Sequence, residues 1–86
     1  MKNLLAFVKQ RNAFNKMFGN PEIDLTVAKD RQRCAEIIDS ALSPENLTCD
    51  GELSRSQVQA RYRELTAVAK ELRALDPTVS FYEMGV

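Results

Sequence analysis

The 86-residue chain contains no histidine, only two cysteines, three prolines and three isolated glycines. Without histidine there is no imidazole general base, no His–Cys dyad and no His-containing zinc site. Cys34 and Cys49 do not make a disulfide-dense scaffold, which fits a reducing compartment, and the sequence leaves open whether they pair. Isolated glycines cannot build a phosphate-cradling loop. Net charge is missing too: twelve basic residues balance twelve acidic ones. No whole-molecule field therefore draws the chain to nucleic acid. No apolar run approaches the roughly 18 residues of a membrane span. The run from Leu4 to Val8 is five residues and ends at Lys9, short of the about 7–15 residues of a signal-peptide core. The expectation is a soluble, cytoplasmic protein with no membrane role.

What is present is an ordinary globular mixture, 44% apolar and 28% charged. It suits a single domain over residues 1–86. Three helices follow from periodicity. The first spans about 2–18, with Leu4, Phe7, Val8, Phe14 and Phe18 on one face at ~100° per residue. Gly19 suits the position just after its end, and Asn20-Pro21 begins a new element. The phenylalanines are expected in the core, because a chain this small needs them there. The second helix spans about 25–42, with Val27, Cys34, Ile37, Ile38, Ala41 and Leu42 as its buried stripe.

The third spans about 54–75. Ser54 and Gln57 have capping-box spacing, and Val58, Tyr62, Leu65, Val68, Ala69, Leu72 and Leu75 make a continuous stripe. Asp76-Pro77 stops the helix, because a residue before proline leaves α geometry. Ser43-Pro44-Glu45 has the form of a short helical turn with Pro44 as its first residue. The tail, 77–86, carries Val79, Phe81, Tyr82 and Met84 and is expected to lie extended over the helices. The fold class is all-α: a compact three-helix domain with a helix-loop-helix hairpin and an extended C-terminal tail.

The zero net charge conceals segregation. Residues 1–20 carry +4 with no acid, 34–53 carry −5, and 54–75 carry +3. Lys2, Lys9 and Lys16 recur every seven residues on the first helix. On the third, Arg55, Arg63, Lys70 and Arg73 share one flank, opposite Glu64 and Glu71. Nucleophilic chemistry has little to work with. Cys34 falls on a buried stripe, where a thiol is inert, and no histidine assists either cysteine. The reading is a non-enzymatic module with no cofactor that binds a protein partner through Arg55, Arg63, Lys70 and Arg73 or through Asp50 and Glu52. Val58, Tyr62, Leu65, Ala69 and Leu72 have 4-3-4-3 spacing, so a homodimer through the third helix is a specific version. The alternative is nucleic-acid binding through Lys2, Lys9, Lys16, Arg63 and Lys70.

The connection between the second and third helices resembles two known patterns. Asn46, Thr48, Asp50, Gly51, Leu53 and Gln57 fall on the twelve-residue frame of an EF-hand loop. That resemblance implies calcium ligation by Asn46, Thr48, Asp50 and Gln57. Three of the four are neutral, so it implies at most weak binding. The same letters also describe an Asp-Gly turn followed by a capped helix. The block Asn46–Ser54 (NLTCDGELS), followed by an arginine-rich helix, resembles small uncharacterised proteins of tailed bacteriophages. It implies action on a host or phage protein in the host cytoplasm and carries over no functional residue.

Overall fold

Ser54 Oγ accepts the Gln57 N–H at 3.3 Å, and the Gln57 side-chain carbonyl accepts the Ser54 N–H at 2.8 Å. This reciprocal cap starts the longest helix of the computed structural model, which describes residues 1–82. Among the described residues the helices are α1 (Lys2–Met17), α2 (Ala28–Ala41), α3 (Pro44–Leu47) and α4 (Arg55–Leu75). None of them is long and apolar enough to cross a membrane. The three long helices are those read from periodicity, and the Ser43-Pro44 signal marks α3.

α4 is the axis of the fold. α1, α2 and α3 all pack against it. Its Leu65, Val68, Ala69 and Leu72 share one core with Leu4 and Val8 of α1 and Cys34, Ala35 and Ile38 of α2. At 21 residues α4 is longer than α1 at 16 or α2 at 14. Of its stripe, Tyr62 and Leu75 are exposed and Val58 is half-buried.

α1 departs from the expected face. Phe14 and Phe18 are 46% and 63% exposed, while Leu4, Val8 and Asn15 turn inward. With Asn15 at the centre of the buried arc, Phe14 is rotated ~100° away from it. Phe18 is the C-cap, where the chain leaves the helix. Asn12, beside that arc, holds the backbone that follows. Asn12 Nδ2 donates to the Ile23 carbonyl at 2.9 Å, and Ile23 N–H donates to Asn12 Oδ1 at 2.6 Å, seating Ile23 in the core. α2 starts at Ala28 rather than at 25. Asp24 Oδ1 accepts both the N–H and the hydroxyl of Thr26, and Asp24 N–H donates to Asp30 Oδ2. Residues 24–27 are therefore a turn, and Val27 is left exposed.

α1 and α3 both end in a double-bonded, left-handed cap. After α1, Gly19 has φ +71°, with Asn20 N–H on the Asn15 carbonyl and Gly19 N–H on the Lys16 carbonyl. After α3 the equivalent left-handed residue is Cys49, φ +49°, with Asp50 N–H on the Glu45 carbonyl and Cys49 N–H on the Asn46 carbonyl. Glycine is favoured at this position because a Cβ is disfavoured there. Gly19→Ala should destabilise by about 1–2 kcal/mol through φ alone, since an added Cβ would meet nothing within 4 Å. Cys49→Gly should raise stability by about 0.5–1 kcal/mol. Urea midpoints read both, and a destabilised Cys49→Gly would contradict the strain assigned to Cys49.

Two long-range ion pairs close the fold. Glu71 Oε1 lies 2.7 Å from the Met1 ammonium and accepts the Asn3 and Leu4 N–H groups at 3.0 and 3.2 Å. α4 thereby caps the start of α1, which has no cap or acid of its own. Asp76 Oδ2 accepts Arg31 Nε at 2.7 Å, and its Oδ1 accepts the Thr78 hydroxyl and N–H. Beyond it the tail lies over α2, as expected: Ser80 N–H reaches Gln32 Oε1, and Tyr82 N–H reaches Asp39 Oδ2 at 2.7 Å. Val79 and Phe81 point into the core, and Tyr82 points out. Met84 lies outside the described residues.

These contacts set the acid sensitivity. The ammonium and backbone donors hold the Glu71 carboxyl at about 2, below its ordinary 4.5. The Thr78 hydroxyl, followed by Arg31, holds Asp76 at about 2, below 3.8. A depressed folded-state value stabilises fully above the ordinary value, and that stability is lost as pH falls towards 2. Urea midpoints between pH 6 and pH 2 should therefore fall less steeply for Glu71→Gln and Asp76→Asn than for the unmodified protein. Parallel slopes would show that neither carboxylate sets the acid limb.

Candidate functional site

α1 and α2 lie on α4 with a cleft between them, and α3 and the turn after it close one side. The cleft encloses about 620 Å³, within the range of about 300–1,000 Å³ common for binding sites. Its apolar floor is Phe7, Ile37, Ala41, Leu65 and Val68. One wall is α1, presenting Asn3, Ala6, Phe7, Gln10 and Arg11, a face with helical i, i+3, i+4, i+7 spacing. α4 presents Arg61, Glu64, Leu65 and Val68 with the same spacing. On the α3 side stand Glu45, Asn46, Cys49 and Asp50.

Two arginines give the cleft its chemistry. The Arg11 guanidinium sits 4.8 Å from the centroid of the Phe14 ring, and Phe14 packs on Phe18 at 4.7 Å. The exposed phenylalanines thus form a platform that holds Arg11 in place. Arg61 lies one turn before Glu64 on α4, yet the two form no ion pair. Nε of Arg11 and Nε of Arg61 are both buried without a hydrogen-bond partner.

Few of the residues singled out from the sequence reach this place. Asp50 and Asn46 line the cleft. Glu52, Arg55, Arg63 and Lys70 are exposed elsewhere, Arg73 is half-buried, and Lys2, Lys9 and Lys16 line the solvent side of α1. They are not gathered into one site. Of the EF-hand positions, Asn46 Nδ2 donates to the Ser40 carbonyl, the Thr48 hydroxyl donates to the Pro44 carbonyl, and Gln57 Oε1 serves the Ser54 cap. These side chains close their own turns. Among the described residues no three His, Cys, Asp or Glu residues are placed to hold a metal.

Both cysteines are free thiols, Cys34 buried and Cys49 exposed. Burial pushes the Cys34 thiol up to about 11, against the opposing charge of Arg33. The proposed pairing seam on α4 is largely occupied, because Leu65, Ala69 and Leu72 fill the chain's own core. Only Val58 and Tyr62, with Leu47, Gln59 and Arg63, border a shallow depression outside it.

Arg11 and Arg61 are the residues the sequence did not single out. The usable signal was the second helical face of α1, 3-6-7-10, which runs beside the buried one. Comparison of the chain with protein-family models, with curated proteins and with solved structures finds no match.

Proposed function

We propose that this protein is a small, non-enzymatic interaction module that seats a helix of a partner protein in the cleft between α1 and α2. The observation that carries the reading is the cleft itself: helical walls, an apolar floor and an open mouth. Two of its walls offer ridges at i, i+3/i+4, i+7 spacing, the surface into which a further helix packs. A helix of ~10 Å diameter and 5.4 Å pitch occupies roughly 420 Å³ per turn. A cleft of 620 Å³ therefore takes the inward row of side chains from a longer helix rather than the whole cylinder. Three of the residues on the α3 side, Asn46, Cys49 and Asp50, belong to the block that resembles tailed-phage proteins. An infected bacterium is accordingly the lysate of choice.

Affinity capture tests the reading with three baits: the unmodified protein, Ala6→Trp, which fills the cleft, and Lys70→Glu, which lies outside it. The expected outcome is a protein retained by the first and third baits and lost from the second. Identical capture by Ala6→Trp would refute the cleft as the contact surface.

A further inference from the structure

Buried polar atoms in folded proteins nearly always have partners, and a charged donor left without one is costly. Among the described residues, four buried side-chain nitrogens lack a partner: Arg11 Nε, Asn15 Nδ2, Arg61 Nε and Arg73 Nη1. Two of the four belong to arginines lining the same cleft. Among the described residues neither arginine makes a hydrogen bond or an ion pair. Arg11 is fixed over Phe14, so its fork is oriented in advance and loses little freedom on binding. Neither guanidinium has an acceptor among the described residues; the buried Nε is out of reach of the cleft, and the outer N–H groups are left for what enters.

The rest of the lining restricts what that is. Glu45, Asp50 and Glu64 border the same space. A phosphate chain or nucleic acid would bring dense negative charge against all three. A helix carrying separate carboxylates can place them at Arg11 and Arg61 and offer basic or neutral side chains to the acids. Arginine and carboxylate match in geometry, since the guanidinium offers two parallel N–H groups to two oxygens.

We propose that the occupant of the cleft is an amphipathic helix bearing Asp or Glu side chains that pair with Arg11 and Arg61, its apolar stripe resting on Phe7, Leu65 and Val68. This rests on the reading of the cleft as a helix-binding groove and adds the chemistry of the partner. Basic residues on the far flank of that helix meet Glu45 and Asp50.

The test uses a displayed library of helical peptides with randomised flanks, selected on the full chain, and amide NMR shifts to map where the winners bind. Selected peptides should be enriched in Asp or Glu on one flank and should shift the amides of Phe7, Gln10, Leu65 and Val68. Arg11→Gln and Arg61→Gln, checked for an unchanged melting curve, should each weaken them about tenfold or more. Arg61→Lys, which keeps the charge without the fork, should fall between. Cleft-binding winners with no acidic enrichment, indifferent to both Gln variants, would overturn the carboxylate inference and leave the groove reading intact. Winners that bind elsewhere, or a selection that gives none, would overturn both.

Discussion

Phe81→Ala is expected to lower the unfolding free energy by about 3–5 kcal/mol, whereas Phe18→Ala should change it by under about 1 kcal/mol. The two residues carry the same side chain. Phe81 is 2% exposed in the stretch 77–82, which has no regular secondary structure, and Phe18 is 63% exposed at the end of a helix. Removing Phe81 leaves a cavity in a core shared by α1, α2 and α4, which relaxes only partly. Removing Phe18 gives up a ring contact with Phe14, worth a few tenths of a kcal/mol for an i, i+4 pair. Small domains are stable by roughly 5–15 kcal/mol, so the Phe81 variant should lose a large share of the total. Equal urea midpoints for the two variants would show that the tail does not complete the core.

Asn12→Leu is the second large effect, expected to cost about 2–5 kcal/mol despite the gain in hydrophobicity. The amide of Asn12 takes both the N–H and the carbonyl of Ile23, and Ile23 is buried. Leucine satisfies neither group, and each unpaired buried group costs about 1–3 kcal/mol. Asn12→Asp retains the acceptor for the Ile23 N–H but loses the donor to its carbonyl, so it should fall between. Denaturation gives the magnitudes, and faster hydrogen exchange at the Ile23 amide should accompany them. An Asn12→Leu protein as stable as the unmodified one would mean that water or a rearranged loop replaces the bracket.

The same residues explain what the sequence disclosed. α4 was legible because its determinants are local: the Ser54–Gln57 box, a stripe at 3–4 residue spacing and the Asp76-Pro77 stop all lie inside or beside it. α1 was legible as a helix but not in its orientation. Its inner side includes Asn12 and Asn15, and its outer side includes Phe14 and Phe18, so an argument from hydrophobicity turns the face the wrong way. Asn12 is inside because the backbone of Ile23 needs it, a requirement that periodicity does not record. Arg31–Asp76 and Glu71–Met1 join residues far apart in the chain, and neither pair has a short-range signature. The cleft is less legible still, since it is a space between elements. Asp50 stands out in the sequence as a charge in a loop, whereas Arg61 is one of five basic residues on a helix, of which Arg55, Arg63 and Lys70 are exposed.

The cap that Glu71 places on α1 ties the beginning of this chain to an event near its end. α1 has no acid in its first turn and carries Lys2 at the positive end of its dipole, so it has little tendency to start alone. Its missing acceptor arrives only after nearly seventy further residues. At roughly 5–20 residues per second that is a delay of about 3–14 s on the ribosome. Chains stopped after residue 53 should accordingly show little α1 helix by circular dichroism, and strong helicity there would show that α1 starts unaided. α1 is thus made before α4 but secured only after it, and α4, which caps itself, is the surface on which it packs.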